Sequence, residues 1–179
     1  MERTAKDIRL LVAKCIASAG QGHIGGSLSI VDVLTVLYEK YMNVNPSNPH
    51  MEGRDRLVLS KGHCAPALYA TLAYKGFIKE EELYTLNKIG THLPSHCDMN
   101  KVPGVDMTAG SLGQGISCAC GMALASKLAS DKATIYCIIG DGESQEGQVW
   151  EASMFAAQQK LDNLIVLLDN NKLQLGGYT

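Results

Sequence analysis

No stretch of the 179 residues is apolar for long enough to cross a membrane. The opening MERTAKDIRLLVAKC interleaves charges where a secretory leader needs an uninterrupted hydrophobic run. A cytoplasmic protein that neither spans nor enters a membrane is therefore expected. Basic excess is missing too: 16 Lys and Arg stand against 18 Asp and Glu, a net charge of −2, which leaves no electrostatic footprint for nucleic acid. The six cysteines (15, 64, 97, 118, 120 and 137) form no C-x-x-C pair, so the usual zinc frameworks are excluded. Most lie inside apolar segments and read as reduced, buried thiols suited to a reducing compartment. Repeats, low-complexity tracts and linkers are absent as well. What remains is a 46% hydrophobic chain of single-domain length, enough to bury a core.

The order of elements gives the fold class. Ile8, Leu11, Cys15 and Ile16 share one helical face, and after the interruption GQGHIGG a second helix is expected from about Ile30 to Tyr41. RLVLS (56–60) is a strand candidate, followed by the helix CAPALYATLAYKG, which should end at Gly76. Residues 88–113 hold four glycines, two prolines and two histidines with little periodicity, the composition of a long functional loop. The small-residue run from Gln114 to Leu128 reads as a helix packed closely on a sheet. ATIYCIIG (133–140) and NLIVLLDNN (163–171) are continuous apolar runs, expected as parallel strands buried on both faces, with the helix GQVWEASMFAAQQKL (147–161) between them. An α/β protein follows, with a doubly wound, mostly parallel sheet flanked by helices. Its crossover places the carboxyl ends of both strands at one sheet edge, where ligands bind in open α/β folds. Asp141 and Asn171 meet there.

Between those strands runs GDGESQEGQVWEA, glycine-rich like a phosphate cradle yet carrying Asp141, Glu143, Glu146 and Glu151. Gly142 to Gly147 has P-loop spacing, but Gln148 and Val149 stand where that loop needs Lys and Ser or Thr. Neither this stretch nor Gly110, Gly113 and Gly115 has the G-x-G-x-x-G spacing of a dinucleotide fingerprint. A hard divalent cation resolves the conflict, because it takes carboxylate, amide and carbonyl oxygens together with phosphate oxygens. One carboxylate (Asp141), one amide oxygen (Asn171) and a main-chain carbonyl from the following turn make up about half of an octahedral shell. Blander readings exist: Asp141 as a cap for the helix that follows, Asn171 as the start of a turn, and the glycines at 20–26 as a spacer between helices.

A GDG after one strand and an NN at the end of the next resemble the thiamine diphosphate motif, and four further stretches resemble transketolase. These are GQGHIGGSLSIVDVL (20–34), LSKGHCAPALYATL (59–72), PSHCD with PGVDMTAGSLGQGIS (94–117), and GDGESQEGQVWEA itself. One departure is Ser111, where many transketolases carry proline. The resemblance covers nearly the whole chain and implies the diphosphate-binding domain of a thiamine diphosphate-binding fold. It implies Asp141 and Asn171 as metal ligands, with Leu173 lending its carbonyl oxygen to magnesium, or to calcium or manganese in its place. His63 would neighbour the diphosphate, Gly110 and Leu112 would pack against the cofactor, and Gly142 would approach it by backbone. His23 and His96 would face the substrate, with all three histidines moving protons to and from sugar oxygens. Glu146 and Glu151 would join an interface network. His50 and His92 lie outside these motifs and are expected to be structural or solvated.

The implied reaction moves a two-carbon ketol unit from a ketose phosphate to an aldose phosphate, in the pentose phosphate pathway. The same resemblance implies a missing part, since the family activates its cofactor with a glutamate from a pyrimidine-binding domain. Residues 1–179 are thus expected to be a diphosphate-binding domain, cut short at its carboxyl end, without the pyrimidine-binding and carboxyl-terminal domains. A companion subunit would supply those in a split enzyme, and homodimerisation would then give a heterotetramer. Two further readings stay open: a related enzyme with another ketose donor, including deoxyxylulose phosphate synthase, and a non-catalytic assembly or regulatory subunit.

Overall fold

Three parallel strands form the centre of the molecule: β1 (Arg56–Leu59), β2 (Ile135–Gly140) and β3 (Leu164–Asp169), in the order β1-β2-β3. The computed structural model describes residues 1–179. Alternating side chains of the strands enter two separate cores, as the pleat requires. Leu57, Leu59, Tyr136 and Ile138 face a large core built with the helices of the first 75 residues, whereas Val58, Ile135, Cys137 and Ile139 face a smaller one on the opposite side. This is the doubly covered parallel arrangement expected from the apolar runs. No helix is long and apolar enough to cross a membrane.

The larger core is made by α1 (Glu2–Ala19), α2 (Ile24–Ser29), α3 (Val31–Val36) and α4 (Ala65–Lys75). Ile8, Leu11, Cys15 and Ile16 are buried on one face of α1, as their spacing predicts. α4 stops at Gly76, whose φ of 85° continues the chain in the left-handed region. The second helix differs from its expectation. It starts at Ile24, bends at Ile30 between α2 and α3, and finishes in a π-helical turn over Leu37–Tyr41. Gly26 belongs inside the helix because a Cβ there would stand 2.9 Å from the Cys64 sulfur, so its bare backbone lets α2 settle on the turn after β1.

On the other face lie α5 (Gln114–Ala129) and α6 (Gly147–Gln158). β3 corrects a second expectation. Its apolar run predicts burial on both faces, yet Ile165, Val166 and Leu168 are 42%, 40% and 51% exposed. β3 is one of the two edge strands, and the helical layers that close over β1 and β2 leave most of its length uncovered. Beyond it, β4 (Leu173–Gln174) and β5 (Gly177–Tyr178) make a short antiparallel pair.

Candidate functional site

All three strands point their carboxyl ends the same way, and the chemistry gathers there. Gly140 is in register with Asp169, and the Asp141 N–H donates to the Asp169 carbonyl at 3.2 Å, so the loops after β2 and β3 run side by side. Asp141 is 9% exposed, and no cationic side chain pairs with it. Its Oδ1 accepts the Gly142 N–H at 3.0 Å, and its Oδ2 accepts the Lys172 N–H at 2.6 Å and the Thr179 hydroxyl at 3.2 Å. Asn171 Oδ1 accepts the Leu173 N–H at 2.9 Å. The two candidate ligand oxygens therefore accept from consecutive backbone N–H groups of one turn. A carboxylate offers about four acceptor positions and an amide oxygen two, so each keeps capacity for a cation. A buried carboxylate with no positive partner, flanked by an amide oxygen, fits a hard divalent ion. Of the blander readings, a cap on α6 fails, because Glu146 occupies that position and Asp141 bonds elsewhere. The turn at Asn171 is real, and it leaves the amide oxygen a second acceptor position.

Three imidazoles assemble from three distant segments. The ring of His23 lies 5.0 Å from that of His63 and 6.1 Å from that of His96, edge to face in both cases. His63 comes from the 3-10 turn Gly62–Cys64 after β1. Gly62 must lack a side chain, since a Cβ there would sit 2.2 Å from the carbonyl oxygen of Ala109. That close approach brings the loop carrying Gly110 and Leu112 against the end of β1. A cavity of about 420 Å³ opens beside His96, Gly110 and Ser111. The Ser95 hydroxyl lies 3.2 Å from Nδ1 of His96.

Burial and crowding favour the neutral form of two of these rings. Burial lowers His63 to about 4, helped by Lys61 and the other two imidazoles and opposed by Asp169. His96 is lowered by burial and by His23. A neutral imidazole has one N–H donor and one lone-pair acceptor, so each can give or take a proton at a hydroxyl group. His50 is exposed, and His92 pairs with Glu82 at 2.6 Å, away from this cluster. Both match the structural or solvated role expected of them.

Glu146 and Glu151 are exposed, the first just before α6 and the second in its first half. Three functional-looking residues, Glu143, Lys61 and Asp169, escaped sequence reasoning. Glu143, 2% exposed, accepts from the Ser60 hydroxyl and from the Gly113 N–H at 2.9 Å through Oε1, and from the Gly140 N–H at 3.1 Å through Oε2. It ties together the ends of β1, β2 and the loop before α5. Lys61, 1% exposed, forms an ion pair with Asp169. The signal for these was faint: Lys61 sits in KGH and Glu143 in GDGES, but their partners are 108 and 83 residues away.

Against known proteins, the whole chain, residues 1–179, matches the family model described as transketolase, thiamine diphosphate binding domain. It is 57% identical over all of its length to the 6-deoxy-6-sulfo-D-fructose transketolase subunit of Clostridium sp. strain MSTE9, and spans 65% of that relative. It is 44% identical to an apulose-4-phosphate transketolase subunit of Phocaeicola vulgatus, over all of its length and 63% of the relative's. Among solved structures, transketolase from Leishmania mexicana superposes with a TM-score of 0.95 at 32% identity, over 99% of this chain and 28% of that one. Transketolase from Campylobacter jejuni gives 0.93 at 36% identity, over 98% of this chain and 29% of that one. With the fold, the strand-end loops and a family model matched from first residue to last in agreement, the chain belongs to the transketolase family and carries its thiamine diphosphate-binding domain.

Proposed function

We propose that this chain is the diphosphate-binding, amino-terminal subunit of a split transketolase, which transfers a two-carbon ketol unit from a ketose phosphate to an aldose phosphate. The observation that carries the reading is the buried, uncompensated Asp141 set beside Asn171 at the strand ends, within the same sheet edge as the three histidines. Asp141 and Asn171, with the Leu173 carbonyl, hold a divalent cation, magnesium first and calcium or manganese as substitutes, and through it the diphosphate. His63 stands by the diphosphate, Gly110 and Leu112 line the cofactor, and Gly142 meets it by backbone. When bound, thiamine diphosphate supplies the electron sink that carbon–carbon cleavage requires. The chain's own contribution is to orient the sugar: His23 and His96 hydrogen-bond its hydroxyls and exchange protons with them.

The chain spans 65% and 63% of the two relatives, and both are named as parts of a larger enzyme, which supports a companion chain carrying the pyrimidine-binding and carboxyl-terminal domains. Glu146 and Glu151 belong to the network at the contact between copies, in a heterotetramer of the cytoplasm. Calorimetric titration with thiamine diphosphate, with magnesium and with chelator, tests the reading. Heat only with magnesium supports it, and no heat from a folded chain in either buffer counts against it.

A second reading has one observation in its favour, the 57% identity to a relative named for a sulfonated fructose. Under it the donor is a ketose other than a pentose phosphate. Product analysis with the companion chain separates the two: sedoheptulose phosphate from pentose phosphates supports the first, and its absence alongside turnover of a sulfonated ketose supports the second.

A further inference from the structure

At the end of β3 one carboxylate oxygen collects three donors from three segments. Asp169 Oδ2 accepts from Lys61 Nζ after β1, from Ser29 Oγ at the end of α2, and from Asn171 Nδ2 at 3.1 Å. Lys61 is 1% exposed and has no other carboxylate partner. Stability alone does not account for such a pair, because desolvating both charges offsets most of their attraction, and an apolar pair of similar volume often does as well or better. Its effect on Asn171 is specific. The donor end of that amide is held by Asp169, while its acceptor end takes the Leu173 N–H at 2.9 Å. Turning the amide over would set its oxygen against a carboxylate and its NH₂ against an N–H, two repulsions in place of two hydrogen bonds.

We propose that Asp169, clamped by Lys61, is a positioning residue that selects the orientation of the Asn171 amide and so presents oxygen, not nitrogen, to the cation beside Asp141. The inference rests on the cofactor reading above and deepens it. Groups that orient a ligand commonly change metal affinity by about 10 to 100-fold when removed. The arrangement also links the turn carrying His63 to the metal loop, since Lys61 stands two residues before that histidine.

The test is a magnesium titration of thiamine diphosphate binding, read by calorimetry on the full chain. Lys61→Met combined with Asp169→Leu removes both charges together, so no buried charge is left unpaired, and frees the Asn171 amide. The magnesium needed for half-saturation should rise about 10 to 100-fold, with the circular dichroism of the unsubstituted chain retained. Ser29→Ala, which leaves the Asn171 contact intact, should change it less than about 3-fold by the same reasoning. Asn171→Asp then discriminates orientation from mere structure, because a carboxylate presents oxygen either way up. It should restore binding in the charge-free background and weaken it beside an intact Asp169. Equal effects of Asn171→Asp in both backgrounds, or unchanged magnesium dependence in the charge-free variant, would overturn the proposal. If the unsubstituted chain shows no magnesium-dependent binding, the cofactor reading falls and takes the inference with it; if it binds and the charge-free variant binds equally, only the inference falls. A measurement without variants guards against misfolding: the side-chain amide protons of Asn171 should exchange slowly with solvent, and exchange as fast as an exposed asparagine would rule out the clamp.

Discussion

Lys172 donates its backbone N–H to the carboxylate of Asp141 at 2.6 Å, and this bond joins the loop after β3 to the loop after β2. Lys172 adopts a φ of 65°, so the turn is bent into the left-handed region where its N–H meets the carboxylate. Asp141 thus organises the loop through protein hydrogen bonds alone, and under the proposed function it would share that duty with a cation.

That double role makes Asp141→Ala informative. Magnesium and thiamine diphosphate together should raise the thermal midpoint of the unsubstituted chain, because a ligand that binds only the folded state stabilises it. The substitution should remove this shift and weaken binding by about 100-fold or more, as expected for loss of a charged metal ligand. Scanning calorimetry with and without both ligands checks it; a persisting shift would rule out Asp141 as ligand.

Glu143 should matter to stability more than its neighbours in GDGES. Glu143→Ala strands the Ser60 hydroxyl and the N–H groups of Gly113 and Gly140 in a buried place. Each orphaned group costs about 1–3 kcal/mol, so a loss of about 3 kcal/mol is expected even if water reaches some of them. Urea unfolding should show a lower midpoint at constant slope, with Glu143→Gln falling between. A change below about 0.5 kcal/mol, the size of an ordinary surface substitution, would contradict the role.

How much of this was legible beforehand depends on the distance over which each feature is determined. The βαβ unit and the meeting of Asp141 with Asn171 follow from local apolar runs and from the handedness of the crossover, so they were readable. The end of α4 at Gly76 was readable for the same reason. Lys61 with Asp169 was not, because an ion pair between residues 108 positions apart leaves no periodic trace. Nor was the start of α2, where glycines that usually break a helix are retained by the contact of Gly26 with Cys64. The exposure of β3 was illegible in a third way: an apolar run shows that a strand can be covered, and only the packed layers show whether it is.

The histidine cluster sets a pH dependence. In the unfolded chain an imidazole titrates near 6.5, whereas burial, Lys61, His23 and His96 hold His63 at about 4 in the fold, against the pull of Asp169. Between those values the unfolded chain binds more protons, so stability falls as the pH drops from about 6.5 towards about 4. Above that window both states are neutral at this site and it contributes no slope. For Asp169, burial raises the carboxyl, but the hydrogen bonds from Lys61 and Ser29 outweigh it and hold it below its ordinary value, so it titrates beneath the window. Thermal midpoints measured from pH 7.5 to 4 should therefore decline less steeply in His63→Gln than in the unsubstituted chain. Parallel curves would show that His63 titrates normally.

The uncovered edge of the sheet carries a liability that solution measurements should detect. Ile165, Val166 and Leu168 of β3 present apolar side chains and free strand-edge groups, and Trp150, Met154 and Phe155 of α6 are 62%, 68% and 43% exposed. Exposed flat edges of this kind template pairing with other strands unless charge or covering structure prevents it. The isolated chain should therefore associate as its concentration rises, seen as a growing weight-average mass in sedimentation equilibrium. Val166→Lys places a charge at the middle of the edge and should suppress that association, while the thermal midpoint measured at dilution moves little, because the side chain is already 40% exposed. A chain that stays monomeric across the range would show that this edge does not template pairing, and a Val166→Lys variant that associates equally would place the association elsewhere.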